Sequence, residues 1–375
     1  MRARGVTARS AAGAAQLTRP AKQQSAWQAC ALTLAAVLGL ALGTSPSAQA
    51  QTFTVLYTFA GYPMDGDGPE AGLLMDGSGN LYGTTRFGGS VNRAYCHAEG
   101  GIGCGIVFKV DTNGMETVLH NFTGPDGANS SANLVMDANG DLYGTTEFGG
   151  RLQDCTDIGV AGCGVVFRLS GRKETVLHRF CSAPYCADGA EPWRGLVMDA
   201  AGALYGTAYY GGSVNGGVVF KLAGKRLTVL HSFTGSPDGA YPEAGLIMDA
   251  KWNLYGTTIY GGDFNCDGDG GCGVVFKLAG KKETVLYSFK GNFNGGSFDG
   301  AYPRAALFMD PQGNLYSTTV LGGEGNGGGT VFKLSRWDKE SVLYTFNSLP
   351  DGVRPQSGVV RDAVGNLYGT TQAGG

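Results

Sequence analysis

One short phrase recurs six times along the chain, and that repetition constrains the fold more than any other feature. Asn-Leu-Tyr or a close variant stands at 80–82, 141–143, 203–205, 253–255, 314–316 and 366–368, at steps of 61, 62, 50, 61 and 52 residues. Each unit holds four apolar runs in fixed order; in the fourth they are 244–248 (AGLIM), 254–258 (LYGTT), 274–278 (VVFKL) and 284–289 (TVLYSF). The runs are rich in Val, Leu, Tyr, Phe and Thr and are bounded by Gly, Asp, Asn or Pro. That is strand chemistry, and no run has the length or period of a helix. Four strands repeated at about 57 residues predict an all-β chain. The specific expectation is a β-propeller of about six four-stranded blades, or seven if the C-terminus is truncated. A β-solenoid is the rival, but its coils are shorter and seldom need two hairpins each. Glycine supplies 65 residues without the three-residue period of collagen.

The ends of the repeat array suggest ring closure. Residues 54–59 (TVLYTF) match the fourth strand of a unit that has no first three, while the chain stops after 368–371 (YGTT), the second strand of the sixth unit. The N-terminal strand is therefore expected to close the ring as a clasp. The sixth unit has no counterpart of Val331-Phe332-Lys333, so the last blade is read as incomplete and the C-terminus as truncated.

Residues 1–50 read as a signal peptide. Arg2, Arg4, Arg9, Arg19 and Lys22 precede an apolar run at 29–42, and Ala48-Gln49-Ala50 offers a small-x-small cleavage site. The alternative is a retained membrane anchor, but the run is shorter than the roughly 20 residues a spanning helix needs. The remainder, 51–375, is expected to be a single repeat domain without a transmembrane segment: secreted, periplasmic or at the cell surface. It carries 23 basic against 31 acidic residues, a poor match for a phosphate backbone, so nucleic acid is discounted as a partner. With Cys30 removed, eight cysteines remain as four local pairs, Cys96/Cys104, Cys155/Cys163, Cys181/Cys186 and Cys266/Cys272. An even count in an exported chain reads as disulfides.

The order LYGTT, Gly-Gly, VFKL, ETVLYSF resembles the Gloeobacter–Verrucomicrobia tandem repeat, and the resemblance covers essentially all of 52–375. It implies an exported bacterial repeat protein. It implies no activity and supplies no catalytic residue or cofactor.

Candidate site residues come from the loops. In an up-and-down blade the loops after strands one and three share one face and are short here. The loops after strand two and between units share the other face, vary in length and carry all eight cysteines, which makes that face the expected binding surface. An Asp-Gly pair recurs there at Asp65, Asp126, Asp188, Asp238, Asp299 and Asp351. It reads either as a ring of carboxylates or as a turn device bonding local N–H groups. A second series, from Asp76 to Asp362, reads as the start of a hairpin turn.

The repeat loses its discipline just after the usual proline, at Glu70, Ser131, Trp193, Glu243, Arg304 and Gln356. These are expected at a channel mouth, where they can hydrogen-bond and stack a polar ligand such as a glycan. The bland alternative is drift at a solvated rim. Asp263, Asn265, Asp267 and Asp269 have the alternation of a calcium loop, without the Glu or flanking helices of an EF-hand. His120, His178 and His231 fill a strand-four position held elsewhere by Tyr57, Tyr287 and Tyr344 and read as packing residues.

The expected function is a non-catalytic binding module for a glycan or a cell-surface protein, needing no cofactor apart from a possible Ca2+. One alternative is a carbohydrate-active hydrolase or lyase pairing Glu70 with Glu243. Another is a structural envelope repeat.

Overall fold

The computed structural model describes residues 54–63, 65–89, 91, 96, 102–151, 162–262, 270–291, 299–324, 327–347 and 350–374. The expected four runs per unit form five four-stranded antiparallel sheets, each in simple sequential order. In the fourth, Ile247–Met248, Leu254–Thr258, Val274–Ala279 and Lys282–Ser288 pair in turn. A sixth unit contributes the pair Val360–Arg361 and Leu367–Tyr368. The described residues contain no α-helix, only a short 3-10 turn at Pro184–Cys186, and no helix among them is long and apolar enough to cross a membrane.

Two details differ from the sequence expectation. The first strands pair over only two residues each, because the chain has just turned out of the inter-unit link. Residues 54–59 form no strand. Phe59 nonetheless packs edge-on against Phe108 at 4.9 Å. Phe122 meets Phe167, Phe180 meets Phe220, Phe233 meets Phe276 and Phe289 meets Phe332 in the same way.

These phenylalanine pairs show where the core lies. Burial is concentrated between consecutive sheets, so each apolar cluster draws on both neighbours: Phe122 and Leu74 with Leu134 and Phe167 in one, Phe233 and Val219 with Leu246 and Phe276 in another. A third strand such as Val274–Ala279 is buried on both faces because its own sheet lies between two others. The second-strand glycine makes room for the ring. A Cβ on Gly256 would stand 2.7 Å from Phe276 Cζ, which explains a glycine in the middle of LYGTT.

The short hairpins form as expected. Asp249 Oδ1 accepts from the N–H of Lys251 and Asn253, and its Oδ2 accepts from the Tyr255 hydroxyl at 3.1 Å. Asp76, Asp137, Asp199, Asp310 and Asp362 repeat the arrangement. At Asp249 burial pushes the carboxyl up, but these bonds prevail and hold it below the usual carboxylate range. Asp137→Ala removes three such bonds at one turn and is expected to cost about 1–2 kcal/mol in urea unfolding, with Asp137→Asn recovering most of it. A cost near zero for the alanine variant would mean the turn closes on backbone bonds alone.

Candidate functional site

Past the Thr-Thr or equivalent pair that ends each second strand, the side chain changes from unit to unit: Arg86, Glu147, Tyr209, Ile259, Val320 and Gln372. Facing it across the link stands the residue that follows Asp-Gly-Ala or Asp-Gly-Val: Asn129, Glu191, Tyr241, Tyr302 and Arg354. All five adopt a left-handed backbone, with φ of 57, 56, 56, 59 and 57°. For a residue with a Cβ that conformation costs on the order of 1–3 kcal/mol.

A fixed pair of backbone bonds compensates. The N–H of Asn129, Glu191, Tyr241, Tyr302 and Arg354 donates to a carbonyl just ahead of the preceding unit's third strand, as in Glu191 N to Cys163 O at 2.9 Å. Their carbonyls accept from the residue at the second-strand end, as in Tyr209 N to Glu191 O at 3.0 Å. The main chain thus clamps two neighbouring positions, and the residue after the proline completes a set of three.

The structure distributes the six expected residues among four groups. Glu70 is half-exposed, with a carboxylate oxygen 3.7 Å from Arg86, and Arg86 is bound at 3.0 Å by Glu147 of the next unit. Ser131 donates its hydroxyl to the Trp193 carbonyl at 3.3 Å. The Trp193 indole stacks flat on Tyr209, centroids 4.5 Å apart and planes 8° apart. Tyr209 is followed by Tyr241, Tyr260 and Tyr302 at 5.2, 5.8 and 5.5 Å. Glu243, only 4% exposed, sits between two guanidinium groups, Arg194 at 3.1 Å and Arg304 at 3.5 Å. Gln356 donates to Gln372 at 2.9 Å.

Glu70 and Glu243 are therefore engaged separately, each by its own arginine partners. Within the variable sets the acid with unusual character is Glu191, whose carboxyl burial pushes up to about 7 against a smaller opposing pull from the Trp193 indole. The indole nitrogen of Trp193 is itself buried without a hydrogen bond of good geometry.

The sequence expectation named one position of each set and missed the other two, Glu191, Tyr241 and Tyr302 before the proline and Arg86, Glu147 and Tyr209 after the second strand. The same signal, variation inside an otherwise repetitive unit, marks all three.

The Asp-Gly aspartates act as the turn device. Asp238 accepts from Thr234 N and Oγ1, and Asp299 from the N–H of Lys290 and Gly291. The histidines do more than pack. His120, His178 and His231 stand edge-on to Phe122, Phe180 and Phe233, and each also bonds the Asp-Gly carboxylate. Cys96–Cys104 and Cys181–Cys186 are disulfides, and Cys163 and Cys272 are disulfide-bonded too. Cys155, Cys266, the calcium-loop residues Asp263, Asn265, Asp267 and Asp269, and the expected signal peptide lie outside the described residues.

A family model described as the Gloeobacter/Verrucomicrobia repeat matches residues 153–375. No curated protein matches the sequence. Among solved structures, a gluconolactonase from Xanthomonas campestris is similar at 14% identity and TM-score 0.41, covering 70% of this chain and 75% of that one. A luciferin-regenerating enzyme is similar at 15% identity and TM-score 0.43, with 83% and 85% covered. PorZ, a surface component of the type-IX secretion system of Porphyromonas gingivalis, is similar at 14% identity and TM-score 0.49, with 86% of this chain and 41% of that one covered.

Proposed function

Since the chain belongs to the Gloeobacter/Verrucomicrobia repeat family, we propose that it is an exported β-propeller whose sheets are blades and whose variable residue sets form a recognition surface for a glycan. The observation that carries the ligand class is the Trp193–Tyr209 stack beside the Arg194–Glu243–Arg304 cluster. A sugar presents apolar C–H faces to aromatic rings and hydroxyls to charged groups that both donate and accept. Carboxylate and guanidinium groups already locked against one another suit binding, because they need little reorganisation when the ligand arrives. Ring closure is supported by Phe59, which meets Phe108 as Phe122, Phe180, Phe233 and Phe289 meet the following sheet.

The test is a polysaccharide panel against the purified mature chain, followed by calorimetry on any hit. Trp193→Ala and Arg304→Ala are each expected to weaken binding at least tenfold with the fold intact. A hit indifferent to both substitutions would place recognition elsewhere, and an empty panel would leave a protein partner or an envelope scaffold.

A second reading is supported by Glu191. A carboxyl near 7 beside a sugar-binding surface has the character of a general acid. Turnover of a bound glycan that is abolished in Glu191→Gln, with affinity retained, would establish the enzyme.

A further inference from the structure

Away from the variable sets, four of the seams between successive units carry a polar trio. Its first member is the strand-four His or Tyr, its second the Asp-Gly aspartate of the same unit, and its third a glutamate on the fourth strand of the next unit. Two seams are His–Asp–Glu: His120, Asp126 and Glu174; His231, Asp238 and Glu283. Two are Tyr–Asp–Glu: Tyr57, Asp65 and Glu116; Tyr287, Asp299 and Glu340. At the seam of His178 and Asp188, the glutamate position is Leu227.

The first two members are hydrogen-bonded in every seam, at 3.1 Å for His120–Asp126 and His231–Asp238 and 2.6 Å for Tyr287–Asp299. The glutamates are anomalous: Oε1 of Glu116, Glu174, Glu283 and Glu340 is buried with no hydrogen bond. A carboxylate oxygen shut from water in this way is costly unless a proton or a cation shares it.

The two kinds of seam differ in what can share it. In the tyrosine seams the first member is a phenol that keeps its proton, since burial and the bond to Asp65 push Tyr57 up to about 12. A proton on the glutamate is the remaining remedy there. In the histidine seams the first member offers an imidazole nitrogen. Around Glu174, one ligand atom each from His120, Asp126 and Glu174 lies within 4.8 Å of the other two. Two carboxylates outweigh the neighbouring Arg179, which donates to the Pro125 carbonyl at 3.3 Å.

We propose that the His120–Asp126–Glu174 seam binds a divalent transition-metal ion that ties adjacent sheets together; in the His231–Asp238–Glu283 seam, among the described residues, the same residue types do not converge as closely. One imidazole with two carboxylates suits zinc or manganese, whereas calcium takes oxygen ligands alone. Three protein ligands leave further coordination positions to water.

Calorimetry of the chelator-stripped chain with Zn2+ at pH 7.5 tests the assignment. The expected result is one ion per chain, which Glu174→Gln removes and Glu283→Gln leaves in place. Glu340→Gln, in a tyrosine seam, removes none. His120→Asn serves as a second variant should Glu174→Gln disturb folding, and it removes the same ion. An ion count that Glu174→Gln leaves unchanged, or no binding at all, overturns the proposal and assigns the buried oxygens to protonated glutamates.

Discussion

Phe276→Ala is expected to destabilise the protein by about 3–5 kcal/mol. The ring has no exposed surface and fills the seam between the third and fourth sheets, edge-on to Phe233 at 5.2 Å. Gly256 and Leu246 complete its socket. Each sheet packs on its neighbours through a separate cluster, so the damage should be local, as in other architectures built from adjacent units. Hydrogen exchange should show protection falling in Val218–Ala223 and Val274–Ala279 well before Val165–Ser170. Phe276→Leu, which leaves a smaller void, should cost less than half as much. A cost under about 1 kcal/mol for the alanine variant would mean that the two sheets slide together and refill the space.

Stability is expected to fall as pH rises from about 4.5 to about 7, in chelator and therefore without any seam metal. Glu174, Glu191 and Glu340 are each pushed up to about 7 from 4.5, first of all by burial. In that window the unfolded chain releases protons that the folded chain keeps, so the folded state is progressively penalised with rising pH. Shifts of this size correspond to about 3 kcal/mol each; partial access to water reduces the expectation to on the order of 1–2 kcal/mol each. Aspartates such as Asp126 and Asp238 act oppositely. Burial pushes them up, but bonds from histidine and threonine outweigh it and hold them low. Their contribution is present above the unfolded value of 3.8 and is lost as pH falls below it. The combined optimum lies near pH 4–5. Urea unfolding of Glu174→Gln/Glu191→Gln/Glu340→Gln at pH 5 and pH 8 checks this: the triple variant should lose most of the pH dependence. An unchanged slope would mean these carboxyls ionise freely in the folded protein.

Much of this was legible in the sequence because it repeats. Six copies of a strand-turn-strand phrase average out local ambiguity, and the Asp-x-x-Gly hairpins and strand-four phenylalanines follow from residue type and spacing. The variable residue sets were legible only in part. Glu243 and Trp193 announce themselves as breaks in a pattern, but Arg194 and Tyr209 become their partners only when neighbouring sheets are packed. The seam glutamates were invisible for the same reason. Glu174 sits in an ordinary KETVL strand, and its relation to His120, far back in the chain, exists only across an interface. His120 looked like a tyrosine substitute doing a tyrosine's packing, whereas both share a second duty, binding the Asp-Gly carboxylate.

The clamp around the variable sets has a consequence for how such a surface diversifies. Its hydrogen bonds run through main-chain groups alone, from Glu191 N to Cys163 O and from Tyr209 N to Glu191 O. Asn, Glu, Tyr and Arg all occupy the left-handed position with nearly the same φ, so the frame is indifferent to which side chain it displays. Substitution there can change the displayed side chain without passing through unfolded intermediates, and each added or exchanged unit brings three fresh slots. The chain can be regarded as a rigid rack for interchangeable side chains, in which the displayed chemistry can change while the architecture beneath it stays still.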